Sequence, residues 1–295
     1  MPIRLYRAED ASAVAQLSAA CARSEADFVL NPLWETEPEL HAEFARHGIA
    51  PEQHLLVAEG MSREILGLSG FLRFEGAREA GLICPIVAKA ERGHGLGGQL
   101  LRSALDLGGK LGLRLATAGL GTRNRAGFAL LTAFGFRPVR QHFLMRCDKR
   151  PSPELPEGFV VERALPADVE AIHKLHTDCG LAPRSQAEVE RAFEEGRHAF
   201  TVARRGGELA AFVDLEVYWP RRVWVSFVGV SPALRDHGLG TALTAWALAE
   251  HFDAGASSAL LVLSPANRTA LRAYEKVGFR LYRVFDVLER SLQGA

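Results

Sequence analysis

A chain of 295 residues, 48% hydrophobic and 24% charged, is long enough for two cores of about 100–150 residues each. Lys+Arg and Asp+Glu both number 35, a balance that argues against a nucleic-acid or anionic-membrane role, since both draw on a basic excess. The start MPIRLYRAED has no apolar signal segment, no apolar run approaches the roughly 18–20 residues of a membrane span, and Cys21, Cys84, Cys147 and Cys179 form no C-x-x-C pair; a cytoplasmic protein with reduced thiols is expected.

In chain order, IRLYRAED (3–10) predicts an opening strand and DASAVAQLSAACARSE (10–25) a helix begun by an acidic residue. HLLVAEG and EILGLSGFLRF read as two strands joined by a turn, and GLICPIVA as a strand entering the loop ERGHGLGG at 91–98. A helix (LGGQLLRSALDLGGKLG), a strand (LRLATAGL), a helix carrying Asn124 and one or two closing strands follow. KRPSPELPEG at 149–158 holds three prolines in ten residues and suits an extended linker. The same order then returns. FVVERALP opens, ADVEAIHKLHTDCG is a helix, AFTVARR and ELAAFVDLEVYW are paired strands, and VWVSFVGVS leads into a second glycine loop. LGTALTAWALAEHF, SALLVLS and a helix carrying Asn267 complete the second set.

A shift of 143 residues makes the repetition explicit. VAKAERGHGLG (87–97) falls on VSPALRDHGLG (230–240), and NRAGFALLTAFGF (124–136) on NRTALRAYEKVGF (267–279), with no gap between them. About a third of positions 87–140 are identical to their counterparts, the mark of a duplicated domain. The expected organisation is a first copy over 1–148, the linker 149–158, and a second copy over 159–295. Each copy is expected to be α/β (α+β), a mostly antiparallel sheet flanked by helices.

Gly93, Gly95 and Gly98 satisfy the dinucleotide fingerprint G-x-G-x-x-G. That reading needs a carboxylate about 20 residues on, at the end of the next strand. The strand LRLATAGLG has none, and the second copy places Asp236 and Thr241 where the fingerprint wants glycines. No Gly-Lys-Ser/Thr follows, so a nucleoside-triphosphate loop is excluded too. What both copies share is Arg-x-x-Gly-x-Gly: Arg92, Gly95, Gly97 and Arg235, Gly238, Gly240. A strand end, close-approach glycines and the free N–H groups of a helix start make a diphosphate cradle that needs no metal.

V-x-P-x-x-R-x-x-G-x-G at Val230–Gly240, followed by N-x-x-A-x-x-x-Y-x-x-x-G-F at Asn267–Phe279, resembles the GNAT superfamily of N-acetyltransferases. The resemblance implies two tandem domains, each with a splayed mixed sheet. It also implies acetyl-coenzyme A as co-substrate, no metal, and a small-molecule amine as acceptor. The coenzyme's diphosphate would sit on Arg235, Asp236, His237, Gly238, Leu239, Gly240 and Thr241, its pantetheine arm along Val228, Gly229 and Val230, with Asn267 nearby. The corresponding first-copy residues are Ile86, Val87, Arg92, Gly93, His94, Gly95, Leu96 and Gly97. A monomer whose halves imitate the family's dimers, or a weak homodimer, would follow.

Gly229 inside its strand is expected to mark a bulge that frees backbone N–H groups, unless it merely relieves crowding. Tyr274 is the expected acid for the departing thiolate, since a phenol near pKa 10 is protonated at neutral pH. Leu131 stands in its place in the first copy, which therefore reads as a degenerate partner. The strand position where relatives carry a glutamate base is Trp224, leaving Asp214 and Glu216, on one face of their strand, as candidate bases or as a solvated face. Tandem relatives that acetylate an amino-sugar conjugate share the plan, but Trp224 speaks against carrying that substrate over; with Tyr218 and Trp219 it suggests an aromatic acceptor pocket or plain core packing. His173, His176, Asp178 and Cys179 lack a second ligand pair, so no metal site is expected, though Asp178 could touch the acceptor. A non-catalytic coenzyme sensor, or an enzyme using a longer acyl group, are the alternatives.

Overall fold

The structure is a computed structural model that describes residues 1–180 and 184–293. The chain packs as two compact units, unit 1 being Met1–His142 with Arg283–Ala295 and unit 2 being Phe143–Tyr282. The first repeat runs β1 (Ile3–Leu5), α1 (Ala11–Arg23), α2 (Glu37–His47), α3 (Pro51–His54), β2 (Leu55–Glu59), β3 (Ile65–Leu72), β4 (Glu79–Val87), α4 (Leu96–Lys110), β5 (Leu115–Gly121), α5 (Arg125–Ala133) and β6 (Arg137–Cys147). The second runs β7 (Val160–Arg163), α6 (Val169–Asp178), α7 (Gln186–Glu194), β8 (His198–Arg205), β9 (Glu208–Glu216), β10 (Arg222–Val230), α8 (Leu239–Asp253), β11 (Ser258–Leu263), α9 (Arg268–Val277) and β12 (Arg280–Ser291).

Unit 1 has the strand order β1-β2-β3-β4-β5-β12, antiparallel except for β4 and β5. In unit 2 the order is β7-β8-β9-β10-β11-β6, antiparallel except for β10 and β11. The repeats exchange their last strands. Phe285–Ser291 completes unit 1 against β5, and Phe143–Cys147 completes unit 2 against β11. The repeat as a stretch of sequence and the unit as a packed body are therefore different objects. The proline-rich segment 149–158 carries no helix or strand and lies within unit 2.

The apolar pattern accounts for the layering. In α4, Leu96, Leu100, Leu101 and Ala104 are buried on one stripe. Unit 2 buries residues on both sheet faces. Val213, Leu215, Val223, Val225 and Leu243 form one cluster, while Ile172, Val189, Phe200 and Phe212 form the other under α6 and α7. Helices α2 and α7, which the sequence reading omits, begin at side-chain caps on Thr36 and Ser185. Among the described residues no helix is long and apolar enough to cross a membrane.

The two parallel pairs position the sites. β10 pairs with β11 only over Arg222–Trp224, and β4 with β5 only over Glu79–Gly81. Each pair then diverges into a cleft, with a glycine loop at its mouth.

Candidate active site

Each loop is built from local rules. In unit 2, Gly238 is the left-handed N-cap of α8 (φ 78°), and Asp236 also has positive φ (65°). The first N–H bonded inside the helix is that of Ala242, to Gly238. Leu239, Gly240 and Thr241 thus present unspent N–H groups at the positive end of the helix dipole. A Cβ on Gly240 would lie 3.1 Å from Val230 Cγ2, so glycine lets the helix start press against the strand. Unit 1 repeats this. Gly95 caps α4 at φ 84°, Gly93 takes the Asp236 place at φ 82°, and the first helical N–H bonded is that of Gln99, leaving Leu96 and Gly97 free. His94 and His237 flank the cap glycines, and His237 Nδ1 lies 2.6 Å from the Arg235 carbonyl.

The loop arginines tie each loop to the strand before it. Arg235 Nε donates to the Val230 carbonyl (3.1 Å) and Arg92 Nε to the Val87 carbonyl (3.0 Å). Arg92 also pairs with Asp27 at 2.8 Å. Their first effect is to hold loop shape. Asn267 and Asn124 are N-caps, accepting from Ala270 and Gly127.

The strand edge in unit 2 differs from expectation at one point. Gly229 pairs regularly with Phe212, and a Cβ there would fall 2.5 Å from Phe212 Cε1. This glycine relieves crowding and is not a bulge. The register shift lies earlier, between Val225 and Phe227, with Ser226 as the extra residue. Ser231 N–H bonds back to Ala210 on β9, so by alternation the N–H groups of Val230 and Val228 turn toward the cleft. Val228, Val230 and Tyr274 pack against the same apolar cluster. Tyr274 meets Phe279 edge-on at 5.6 Å, and its hydroxyl makes no hydrogen bond to the described residues. Burial pushes this phenol up to about 12, so it holds its proton at neutral pH.

Unit 1 keeps the loop and loses the rest. Pro85 stands where Val228 does and has no N–H to give. Leu131, buried, stands where Tyr274 does. The cleft itself holds a piece of the chain. Leu30 N–H donates to Gly119, Gly121 N–H to Phe28, and Cys84 N–H to Asn31, at 2.9, 2.9 and 3.1 Å. Asn124 Nδ2 adds a bond to the Asp27 carbonyl (3.0 Å). Residues 28–31 thus lie as a strand between β4 and β5. Glycines make the room: a Cβ on Gly119 would sit 2.5 Å from Leu30 Cβ, and one on Gly81 2.6 Å from Asn31 Nδ2. The matching second-copy residues are Val262 for Gly119, Ser264 for Gly121 and Trp224 for Gly81. Among the described residues nothing bridges β10 and β11 beyond their short pairing. Above the inserted strand in unit 1 remains a cavity of about 250 Å³, lined by Val29, Val87, Gly95, Asn124 and Leu131 among others.

Asp214 and Glu216 do share a face, but it is not solvated, since they are 1% and 7% exposed. Asp214 accepts from Arg184 Nη1 (2.8 Å) and His198 Nδ1 (2.7 Å), while Arg184 Nη2 donates to Ser226 Oγ (2.8 Å). Sequence reasoning missed Arg184, His198 and Ser226, which lie on separate elements and carry no motif. Trp219 is buried with Arg222 over its ring at 4.0 Å, and Trp224 is half-buried opposite Glu216. His176 is sandwiched at 3.9 Å against Phe227, and burial depresses its pKa. Among the described residues no group of three or more His, Cys, Asp and Glu could hold a metal. The Asp178 carbonyl, 3.4 Å from Arg235, is part of the loop's support.

Residues 18–136 and 169–279 match the sequence pattern of the Acetyltransferase (GNAT) family. A mycothiol acetyltransferase of Thermobispora bispora is 33% identical over 227 residues, 70% of this chain and 74% of that one. Its namesake in Thermomonospora curvata is 30% identical over 274 residues, 83% and 89% of the two chains. Among solved structures, a GCN5-related N-acetyltransferase from Sphaerobacter thermophilus aligns with TM-score 0.78 at 19% identity over 100% of this chain and 96% of that chain. A tandem GNAT protein from the clavulanic acid biosynthesis pathway aligns with TM-score 0.71 at 16% identity over 100% and 99%. At these identities the shared property is the fold.

Proposed function

Because the chain belongs to the GNAT family of acetyltransferases, we propose that it moves an acetyl group from acetyl-CoA to a primary amine of a small molecule, with the chemistry in unit 2. One contrast carries the choice of unit. Unit 2 keeps a cleft-facing amide at Val228 and a phenol at Tyr274, whereas unit 1 has Pro85, Leu131 and a cleft filled by residues 28–31.

The donor fits the residues present. The unspent amides at Leu239–Thr241 suit a diphosphate without a metal, and the bare Gly238 and Gly240 leave the backbone accessible to it. Asn267 is exposed, with its side-chain oxygen capping α9. Along β10, the Val230 and Val228 N–H groups offer an extended arm the partners a neighbouring strand would supply. The Val228 amide is placed to hydrogen-bond a thioester carbonyl, strongest when charge develops on that oxygen. Tyr274 then gives its proton to the departing sulfur. In unit 1 the loop Arg92–Gly97, with Ile86 and Val87 below it, can seat a diphosphate, but residues 28–31 occupy the β4 edge at Cys84 and Pro85 offers no amide where Val228 does.

Mixing the protein with acetyl-CoA and a panel of primary amines, and titrating released thiol, tests this reading. Amine-dependent thiol release with a matching acetylated product is expected. No turnover with any amine, together with no binding of the donor, would overturn it.

A further inference from the structure

Asp214 is a carboxylate removed from water in the middle strand β9, and such a group is held only by charged or hydrogen-bonded partners. Here Arg184 supplies the countercharge on one oxygen, and the His198 ring supplies a donor on the other. The same guanidinium reaches on to Ser226, the bulge residue of β10. A hydrogen-bonded chain therefore runs from His198 on β8, through Asp214 and Arg184, to the point where β10 leaves β11. His198 pairs in register with Glu216, and Glu216 with Trp224. The imidazole therefore shares a cross-strand row with Trp224.

With Nδ1 committed to a buried carboxylate, the neutral ring carries its proton there and its lone pair on Nε2. Nε2 makes no bond to the described residues, and the side chain is 14% exposed. One nitrogen is anchored and the other is open. The charged groups set against it are Asp214, bonded to Nδ1, its register partner Glu216 on β9, and Arg184, which precedes α7 and bonds the same carboxylate, with Arg197 adjacent in the chain. Arg184 in turn acts on His176 of α6 and Glu188 of α7. From α7, Phe193 stacks on Phe200, which in turn stacks on the imidazole, so that side is apolar.

We propose that His198 is the base that accepts the amine's proton in unit 2, with Asp214 orienting it and Arg184 bracing the pair against the Ser226 bulge; this rests on the acetyltransferase reading above. The substrate ammonium gives one proton to Nε2. The freed lone pair forms the C–N bond to the acyl carbon as the C–S bond breaks, and the sulfur leaves with that pair and takes the Tyr274 proton. The second proton shed by the nitrogen passes through water to the phenolate, and the imidazolium releases its proton to solvent. An amide, a thiol and one proton result, and nothing is oxidised or reduced.

The test uses the full chain and whichever panel amine turns over. kcat/KM is measured against pH for wild type, His198→Gln and His198→Ala, beside acetyl-CoA affinity and thermal melting. The expected losses are about 10²–10⁴-fold in kcat/KM, with the acidic limb of the wild-type profile gone, donor affinity within about twofold, and added imidazole restoring His198→Ala at least tenfold. Should the glutamine variant not fold, the imidazole response of the alanine variant decides. Wild-type kcat/KM with its limb intact in either variant would overturn the assignment. So would a loss that tracks melting temperature alone, leaves the limb in place and ignores imidazole. If wild type acetylates no amine and binds no donor, the function itself is refuted and this base with it; if wild type is active and the variants match it, only His198 is refuted.

Discussion

Tyr274 and Leu131 occupy matching places in the two repeats, and only one of them has a proton to give. Tyr274→Phe keeps the ring against Phe279 and removes the hydroxyl alone, so kcat should fall about 10²–10⁴-fold while acetyl-CoA affinity stays within about twofold. Steady-state kinetics with calorimetric donor binding read both. Because burial lifts this phenol to about 12, it should stay protonated through the workable alkaline range, so kcat should show no fall below pH 10 that Tyr274→Phe removes. His176 supplies a stability test. Its pKa is depressed by burial among Phe212 and Phe227, so the fold favours the neutral ring. That contribution is present above the ordinary histidine pKa of about 6.5 and is lost as pH falls. His176→Phe should therefore narrow the drop in melting temperature between pH 7 and pH 5. An unchanged drop would show that the ring does not titrate with unfolding.

At the scale of elements, the inserted strand 28–31 separates the units most sharply. Three glycines around it are replaced by larger residues in the second repeat, and among the described residues no such segment lies between β10 and β11. Saturation with acetyl-CoA should leave hydrogen exchange at the amides of Leu30, Cys84 and Gly121 unchanged within about twofold, since each already has a partner. The amides of 228–241 should slow. Displacement of 28–31 by the donor would appear as faster exchange there. The loops, the repeat and Tyr274 were legible because their signals are local and recur at a fixed shift. The bulge was not, because a glycine in a strand does not say which neighbour crowds it, and here that neighbour is Phe212. Nor was the burial of Asp214, since its partners Arg184 and His198 come from other elements. The β5 glycines set against Val262 and Ser264 were readable in the alignment of the repeats and pointed to a close neighbour.

For the whole molecule, the exchange of last strands makes each unit depend on the other repeat. Residues 1–148 alone would leave β5 without β12, and residues 159–295 alone would leave β11 without β6. An unpaired central edge invites association, so neither fragment should give a cooperatively melting monomer in size-exclusion and thermal measurements. A monomeric 159–295 with full turnover would show that the exchange is dispensable. The proposal that turnover runs through the second loop is tested most directly at Gly240, whose missing side chain lets α8 meet Val230. Thiol release from acetyl-CoA should fall at least about 100-fold in Gly240→Val while the chain stays folded, as expected when a backbone cradle loses its close approach. Wild-type turnover in that variant would contradict a donor held at Arg235–Thr241.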